Sequence, residues 1–360
     1  MGSLLNYSAV SAKVSAMRSR LLTDEQFREL AFQPDVPSAV EYLKGFSAYR
    51  DLFEGLQADD LHRGNIEKLL NLSLYRDFSS LYRFSGVKQR RFLDLYFMHF
   101  EIDVLKKCLR NVMSRKASDL DLSIFEDFFR RHSGLDLAGL SGASGLSEFI
   151  VQLEGSCFHA PVKALSESGA VSLSDYESAL DSFYFARLWK NLDHDLKPPE
   201  REIIKKCIGE KIDLLNLEWI CRAKQNYRLP ANVLRSFLIP VHYRIREDEL
   251  NRLAGVSGPE ELDRILKSTR YRRMLSGTEQ DPGSVSGTKL FYRSLLDTVY
   301  RSSGRKNPYS AAVFNTYFYF KEEEIRKIIT AIEGIRYQLG GNEIVSCLTE
   351  RRQKGGAHRD

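Results

Sequence analysis

The residues with the most chemical promise are Asp193, His194 and Asp195, three consecutive side chains that alternate carboxylate and imidazole. Such a trio offers either ligands for a metal ion or a general acid–base pair. Lys197, Pro198 and Pro199 follow at once, which places the trio at the end of a helix before a turn. The other histidines (His62, His99, His132, His159, His242 and His358) are scattered, with no HExxH pair or other metal-ligand spacing. Ser, Thr and Cys are plentiful, but none lies in a nucleophile elbow. Residues 135–145 (LDLAGLSGASG) have the look of a phosphate-cradling loop. No GxxxxGK[ST] accompanies them and nothing before them reads as a strand, so a turn is expected there. No dinucleotide fingerprint occurs. Nothing in these motifs argues for catalysis, a bound metal or a cofactor.

The five cysteines (Cys108, Cys157, Cys207, Cys221 and Cys347) are odd in number, widely spread and free of any CxxC pair. That pattern suggests neither a zinc ribbon nor a disulfide framework. Cys108, Cys207 and Cys221 fall on apolar helix faces and are expected to be small core residues in a reducing compartment. With 360 residues the chain has room for two or three domains. Its 43% hydrophobic and 28% charged content is that of an ordinary globular protein. The net charge of +5 is small, and Lys and Arg alternate with Asp and Glu rather than forming a stripe, so nucleic acid is not an expected partner. The opening MGSLLNYSAVSAKVSAMRSR lacks the sustained apolar core of a signal peptide. No stretch approaches the roughly 18 consecutive apolar residues of a membrane helix. The expectation is a cytoplasmic protein, or one that touches a membrane only from outside.

The elements that position these residues are helices, and one stretch organises them. In residues 311–335, Phe314, Phe318, Ile325, Ile328, Ile332 and Ile335 step by three, four or seven, the period of an amphipathic helix. Lys321 to Glu324 interrupt it with charge, and Glu322 stands four residues before Arg326. Two further segments resemble it, residues 97–110 (FMHFEIDVLKKCLR) and 209–222 (GEKIDLLNLEWICR). Aligning the acidic residue before an aliphatic one sets Asp103, Asp213 and Glu324 in register, 110 and 111 positions apart. A second set agrees: SAVEYL, SEFIVQL and PEELDRIL each lead to an aromatic, Tyr49, Phe158 and Tyr271. Glu67 and Glu177 are also 110 apart, while the third copy matches less well around residues 289–300.

The expected fold is all-α, with three similar helical domains of about 110 residues: 1–118, 119–230 and 231–350. Residues 114–121 and 227–243 join the copies, 277–287 form a surface loop, and 351–360 are expected to be a disordered tail. The first helix is expected over about 7–22, with small residues Ala9, Ala12 and Ala16 on one side, and Thr23 and Asp24 as caps for the next.

The N-terminal YSAVSAKVSAMRSRLL and the C-terminal NPYSAAVFNTYFYFKEEEIRKI carry a family resemblance. The first offers a tyrosine, small residues, arginines and the pair Leu21-Leu22. The second offers Pro308, Ser310, Tyr317, Lys321, Glu322, Glu324, Ile325 and Arg326 in order. Together, over nearly the whole chain, they resemble the C subunit of prokaryotic V/A-type rotary ATPases, the homologue of the eukaryotic d subunit. The resemblance implies a funnel of three helical domains around a pseudo-threefold axis, peripheral on the cytoplasmic face of the membrane. It implies the proteolipid rotor ring and the central-stalk subunits as partners, a torque-transmitting role in proton or sodium transport, and no catalysis or nucleotide binding.

The candidate partner-contacting residues are Lys321, Glu324 and Arg326. Each has a plainer reading: Lys321 and Arg326 either face the stalk or pair with Glu322 and Glu324, and the recurring acids either contact partners or hold each repeat together. Tyr317, Phe318, Tyr319 and Phe320 are expected in the core. Two other functional classes stand beside this one, a helical-repeat scaffold for peptides or proteins and a metal-dependent hydrolase built on Asp193, His194 and Asp195.

Overall fold

The computed structural model of the chain describes residues 2–114, 120–170, 172–224, 230–256, 261, 264–265, 268–269, 271 and 285–348, the side chains of 2–5 and 285–291 excepted. The expected tail 351–360, residues 277–284 of the expected loop and residues 115–119 and 227–229 of the expected joins lie outside the described residues. Seventeen α-helices and one short 3-10 turn, with no strand, make up the described residues, and the all-α expectation holds. In chain order they are α1 (Gly2–Arg18), α2 (Asp24–Ala31), α3 (Val36–Lys44), α4 (Arg50–Phe53), α5 (Arg63–Phe84) and α6 (Val87–Met113). Then come α7 (Ser123–His132), α8 (Leu137–Gly142), α9 (Leu146–Gln152), α10 (His159–Glu167), α11 (Leu173–Asp195) and α12 (Pro198–Arg222). The last are α13 (Ala231–Phe237), α14 (Glu247–Gly255), α15 (Val285–Lys306), α16 (Ala312–Arg336) and α17 (Gly341–Leu348).

Local chemistry explains several boundaries. Thr23 caps α2 in a capping box with Gln26, so the two side chains satisfy each other's backbone N–H groups. Asp35 caps α3, and Pro37 sits in that helix's first turn, where its missing N–H costs nothing. Ser172 caps α11 in the same way as Thr23, and the Pro198–Pro199 pair opens α12. Residues 135–145 are not a simple turn: Asp136 accepts from the N–H groups of Ala138 and Gly139 and starts α8. The first helix begins earlier than its spacing suggests and buries Tyr7, Val10 and Val14, while Ala9, Ala12 and Ala16 face outward.

Contacts divide the chain into two compact units. The first joins residues 1–84 to 308–360. Its centre is α16, which packs on α1, α2, α3, α5 and α17 and is buried along most of its length. Phe318 lies against Phe78 at 5.8 Å between ring centres, and Phe314 meets Tyr7 edge-on at 6.4 Å.

The second unit, residues 85–307, is built on two long helices. Helix α6 packs on α8, α9 and α11, and α12 packs on α11, α14 and α15. Both bury consecutive residues (Leu95 to Met98, Ile212 to Leu214), because each is covered on more than one side. An aromatic cluster of Phe97, Phe100, Phe128 and Phe129 joins α6 to α7 at centre distances of 5.4–6.0 Å.

Each span of the expected repeat holds the same order of elements: a leading helix (α1, α7, α13), shorter helices, then two long ones of 22–27 residues. The grouping by contact runs one helix out of step with that order. The last long helix of each span packs on the first long helix of the next span, α6 on α11 and α12 on α15, and α16 packs on α5 of the first.

Candidate functional site

Three acidic side chains on these last long helices make the same connection. Glu324, on α16, accepts the backbone N–H of Leu22 at 2.6 Å through Oε1 and the Lys321 ammonium at 2.8 Å through Oε2. Lys321 also donates to the Tyr49 hydroxyl at 2.9 Å and lies 4.5 Å above the centre of the Tyr49 ring. The pair is deep inside the first unit, with Lys321 2% and Glu324 4% exposed. Burial and then the charge of Glu324 push the Tyr49 hydroxyl well above its ordinary value, so it stays protonated. Close by, the Tyr317 hydroxyl donates to Asp77 Oδ2 at 2.5 Å. Burial raises the Asp77 carboxyl, against the opposing pull of Lys321 and Tyr317.

Asp213, on α12, is fully buried. Its carboxylate accepts from the N–H groups of Arg244 at 2.8 Å, Ile245 at 3.2 Å and Tyr243 at 3.4 Å, and from the Tyr271 hydroxyl at 2.9 Å. Burial raises this carboxyl too, while the backbone N–H of Arg244 and the other donors draw it down. Glu210, one turn earlier, is paired with the Arg244 guanidinium at 2.8 Å.

In the first copy the acid is Glu101. It accepts from the Ser133 hydroxyl, whose oxygen in turn accepts the N–H of Leu135 at 3.1 Å. Leu22, Leu135 and Ile245 are equivalent positions: each stands immediately before the residue that caps a short helix, Thr23 for α2, Asp136 for α8 and Arg246 for α14. An acid on a long helix thus fixes the entry to the next short helix in all three cases. The aromatic residues aligned by sequence complete it, Tyr49 and Tyr271 with their hydroxyls in the networks, while Phe158 offers none and Ser133 supplies the hydroxyl instead.

This geometry moves one member of the sequence alignment. Asp103 has a side chain 48% exposed and faces His99 at 3.7 Å, so Glu101 takes its place, 112 positions before Asp213. Both are acids followed by a buried aliphatic, Ile102 or Val104, and the pattern alone does not separate them. Of the candidate partner residues, Lys321 and Glu324 are committed to each other and to Tyr49 and Leu22. Arg326 is half-buried and pairs with Glu323 at 2.6 Å, not with Glu322 or Glu324. Tyr317, Phe318 and Tyr319 are buried, as expected, whereas Phe320 is only half-buried, with the Arg18 guanidinium 5.5 Å from its ring centre.

The other chemically promising residues are held by ordinary ion pairs and packing. The Asp193–Asp195 trio ends α11. Asp193 is drawn below the usual carboxylate range by its hydrogen bond from Lys205, and Arg201 approaches it at 3.8 Å. No grouping of His, Cys, Asp and Glu suited to a metal exists among the described residues. Cys108, Cys207 and Cys221 are buried, and burial pushes the Cys108 thiol up to about 12. No helix among the described residues is long and apolar enough to cross a membrane.

Acids on long helices that fasten the segments leading into short helices define a structural, assembly-type arrangement. Residues 10–346 match the model of the ATP synthase (C/AC39) subunit family, and the chain belongs to that family. It is a non-catalytic subunit of a rotary ATPase. It is 26% identical over 328 residues to the C subunit of the A-type ATP synthase of Thermococcus kodakarensis, covering 89% of this chain and 84% of that one. It is 25% identical over 332 residues to the C subunit of the A-type ATP synthase of Methanobrevibacter smithii, covering 89% and 82%. The corresponding protein of Pyrococcus furiosus is 24% identical over 326 residues, with 89% and 84% covered.

Proposed function

We propose that the chain is the coupling subunit of an A-type rotary ATPase, joining the central stalk to the proteolipid rotor ring on the cytoplasmic face of the membrane. In this reading its three repeats, 1–118, 119–230 and 231–350, surround a socket for the stalk and turn with the rotor, and proton or sodium transport depends on the torque they carry. The observation that carries it is the return of α16 to the N-terminal helices. A linear array would leave its last long helix without a neighbour, whereas here Glu324 fastens that helix to Leu22, 302 residues away. A torque coupler must resist shear, and buried, directional bonds at each junction between repeats suit that load.

Contact with polar ring loops has an electrostatic share and weakens with salt. Purified chain added to detergent-solubilised ring is expected to bind one per ring, to release as salt rises, and to recruit the central stalk. Failure to bind ring or stalk at any salt concentration contradicts the proposal.

A further inference from the structure

The first unit contains a cavity of about 200 Å³ that shares Lys321 with the connection at Glu324 but opens away from it onto other residues. The turn after α1 contributes Arg20, the segment around α4 Ser47 and Asp51, α5 Arg76 and Asp77, and α16 Lys321. The lining carries three cations against two carboxylates. One of those carboxylates, Asp77, already accepts from Tyr317, and its burial favours the neutral form.

Three cationic side chains of this wall have donors that no protein acceptor takes up among the described residues, two of them, Arg20 and Arg76, exposed to solvent. The side chains of Arg20 and Arg76 form no hydrogen bond or ion pair among the described residues, although Arg20 is close enough to Asp77 to bias its ionisation. An ammonium has three N–H donors. Lys321 uses two, on Tyr49 and Glu324, and its third finds no acceptor among the described residues, though the side chain is 2% exposed. Two planar guanidinium forks and a buried ammonium around a small polar space match a compact oxyanion, which accepts several charge-assisted hydrogen bonds at once.

We propose that this cavity binds a carboxylate or phosphate group, gripped by Arg20 and Arg76 with Lys321 behind them. Asp51 at the rim disfavours a second anion and limits the site to one. The proposal needs nothing from the rotary role, because the site lies wholly within the first unit.

Calorimetric titration of the full-length chain at constant ionic strength tests it. One arm uses inorganic phosphate; the other uses a short peptide with a free C-terminal carboxylate beside its amidated twin. Saturable one-to-one binding is expected in at least one arm, and the arm identifies the source: free anion for phosphate, a partner polypeptide for the carboxylate peptide. Arg76→Ala and Arg20→Ala should each weaken binding by about tenfold or more, with Arg76→Lys between. Arg130→Ala, at an exposed position of α7 in the second unit, should leave it unchanged. Neither arginine side chain has a hydrogen bond or ion pair among the described residues to lose, and both are exposed, so the variants should melt as the parent does. Absence of saturable binding in both arms, or binding that both arginine variants leave intact, overturns the proposal.

Discussion

Glu324 and Lys321 are buried together, and the cost of that burial decides what a substitution at either does. Removing the ammonium leaves a carboxylate inside the first unit with the Leu22 N–H and the neighbouring Tyr49 hydroxyl, but no positive charge, for compensation. Lys321→Met is therefore expected to cost about 3–5 kcal/mol in denaturant unfolding. Adding Glu324→Gln removes the stranded charge and keeps an oxygen for Leu22, so the double variant should be more stable than Lys321→Met alone. Additive losses would contradict this account of the pair. Asp77 gives a second test at the same scale. Its carboxyl is raised above the ordinary 3.8 by burial, so the native state binds its proton more tightly than the unfolded chain does. That contributes stability below the ordinary value and loses it as pH rises through the folded one. Asp77→Asn should thus gain stability relative to the parent as pH rises from about 4 to 7, read from denaturant midpoints at each pH. A difference that is flat, or of opposite slope, would contradict it.

At the scale of elements, close approach matters as much as charge. The segment that brings Tyr243, Arg244 and Ile245 to Asp213 crosses α12 at Gly209, where an added Cβ would stand 2.4 Å from Tyr243 Cγ. Cγ is rooted next to the backbone and has little freedom to retreat. Gly209→Ala gains about 1 kcal/mol of helix propensity but overpacks this crossing, and a net loss of about 1–3 kcal/mol is expected in thermal or denaturant melts. A stabilised variant would show that the crossing has slack.

This scale also separates what the sequence displays from what it conceals. The caps at Thr23 and the long helix around Phe318 follow from local rules, residue type at an N-terminus and apolar spacing, and both are legible. The acid of the first copy is not. Glu101-Ile102 and Asp103-Val104 satisfy the same rule, and only the three-dimensional position of Ser133 decides between them. Likewise Lys321 and Glu324 read only as part of a charged block in the middle of a helix, open to a partner or to a neighbouring charge. They are buried because five other helices pack on α16, a fact no local pattern carries.

At the scale of the whole molecule, the consecutive order of the expected repeats and the grouping by contact differ by one long helix. A repeat whose last helix serves the next copy has no complete core of its own, so helical content is expected to be lost together across copies rather than one copy at a time. Periodicity along the chain is what suggests three copies, but the bond from Glu324 to Leu22 spans 302 positions and has no signature in spacing.

The coupling role is the central claim, and transport tests it most directly. A rotary complex assembled in liposomes with and without this chain would be assayed for ATP hydrolysis and ATP-driven ion uptake together. The account predicts that omission leaves hydrolysis by the head while abolishing uptake, and that adding the purified chain restores uptake. Undiminished ion uptake in its absence would contradict the claim.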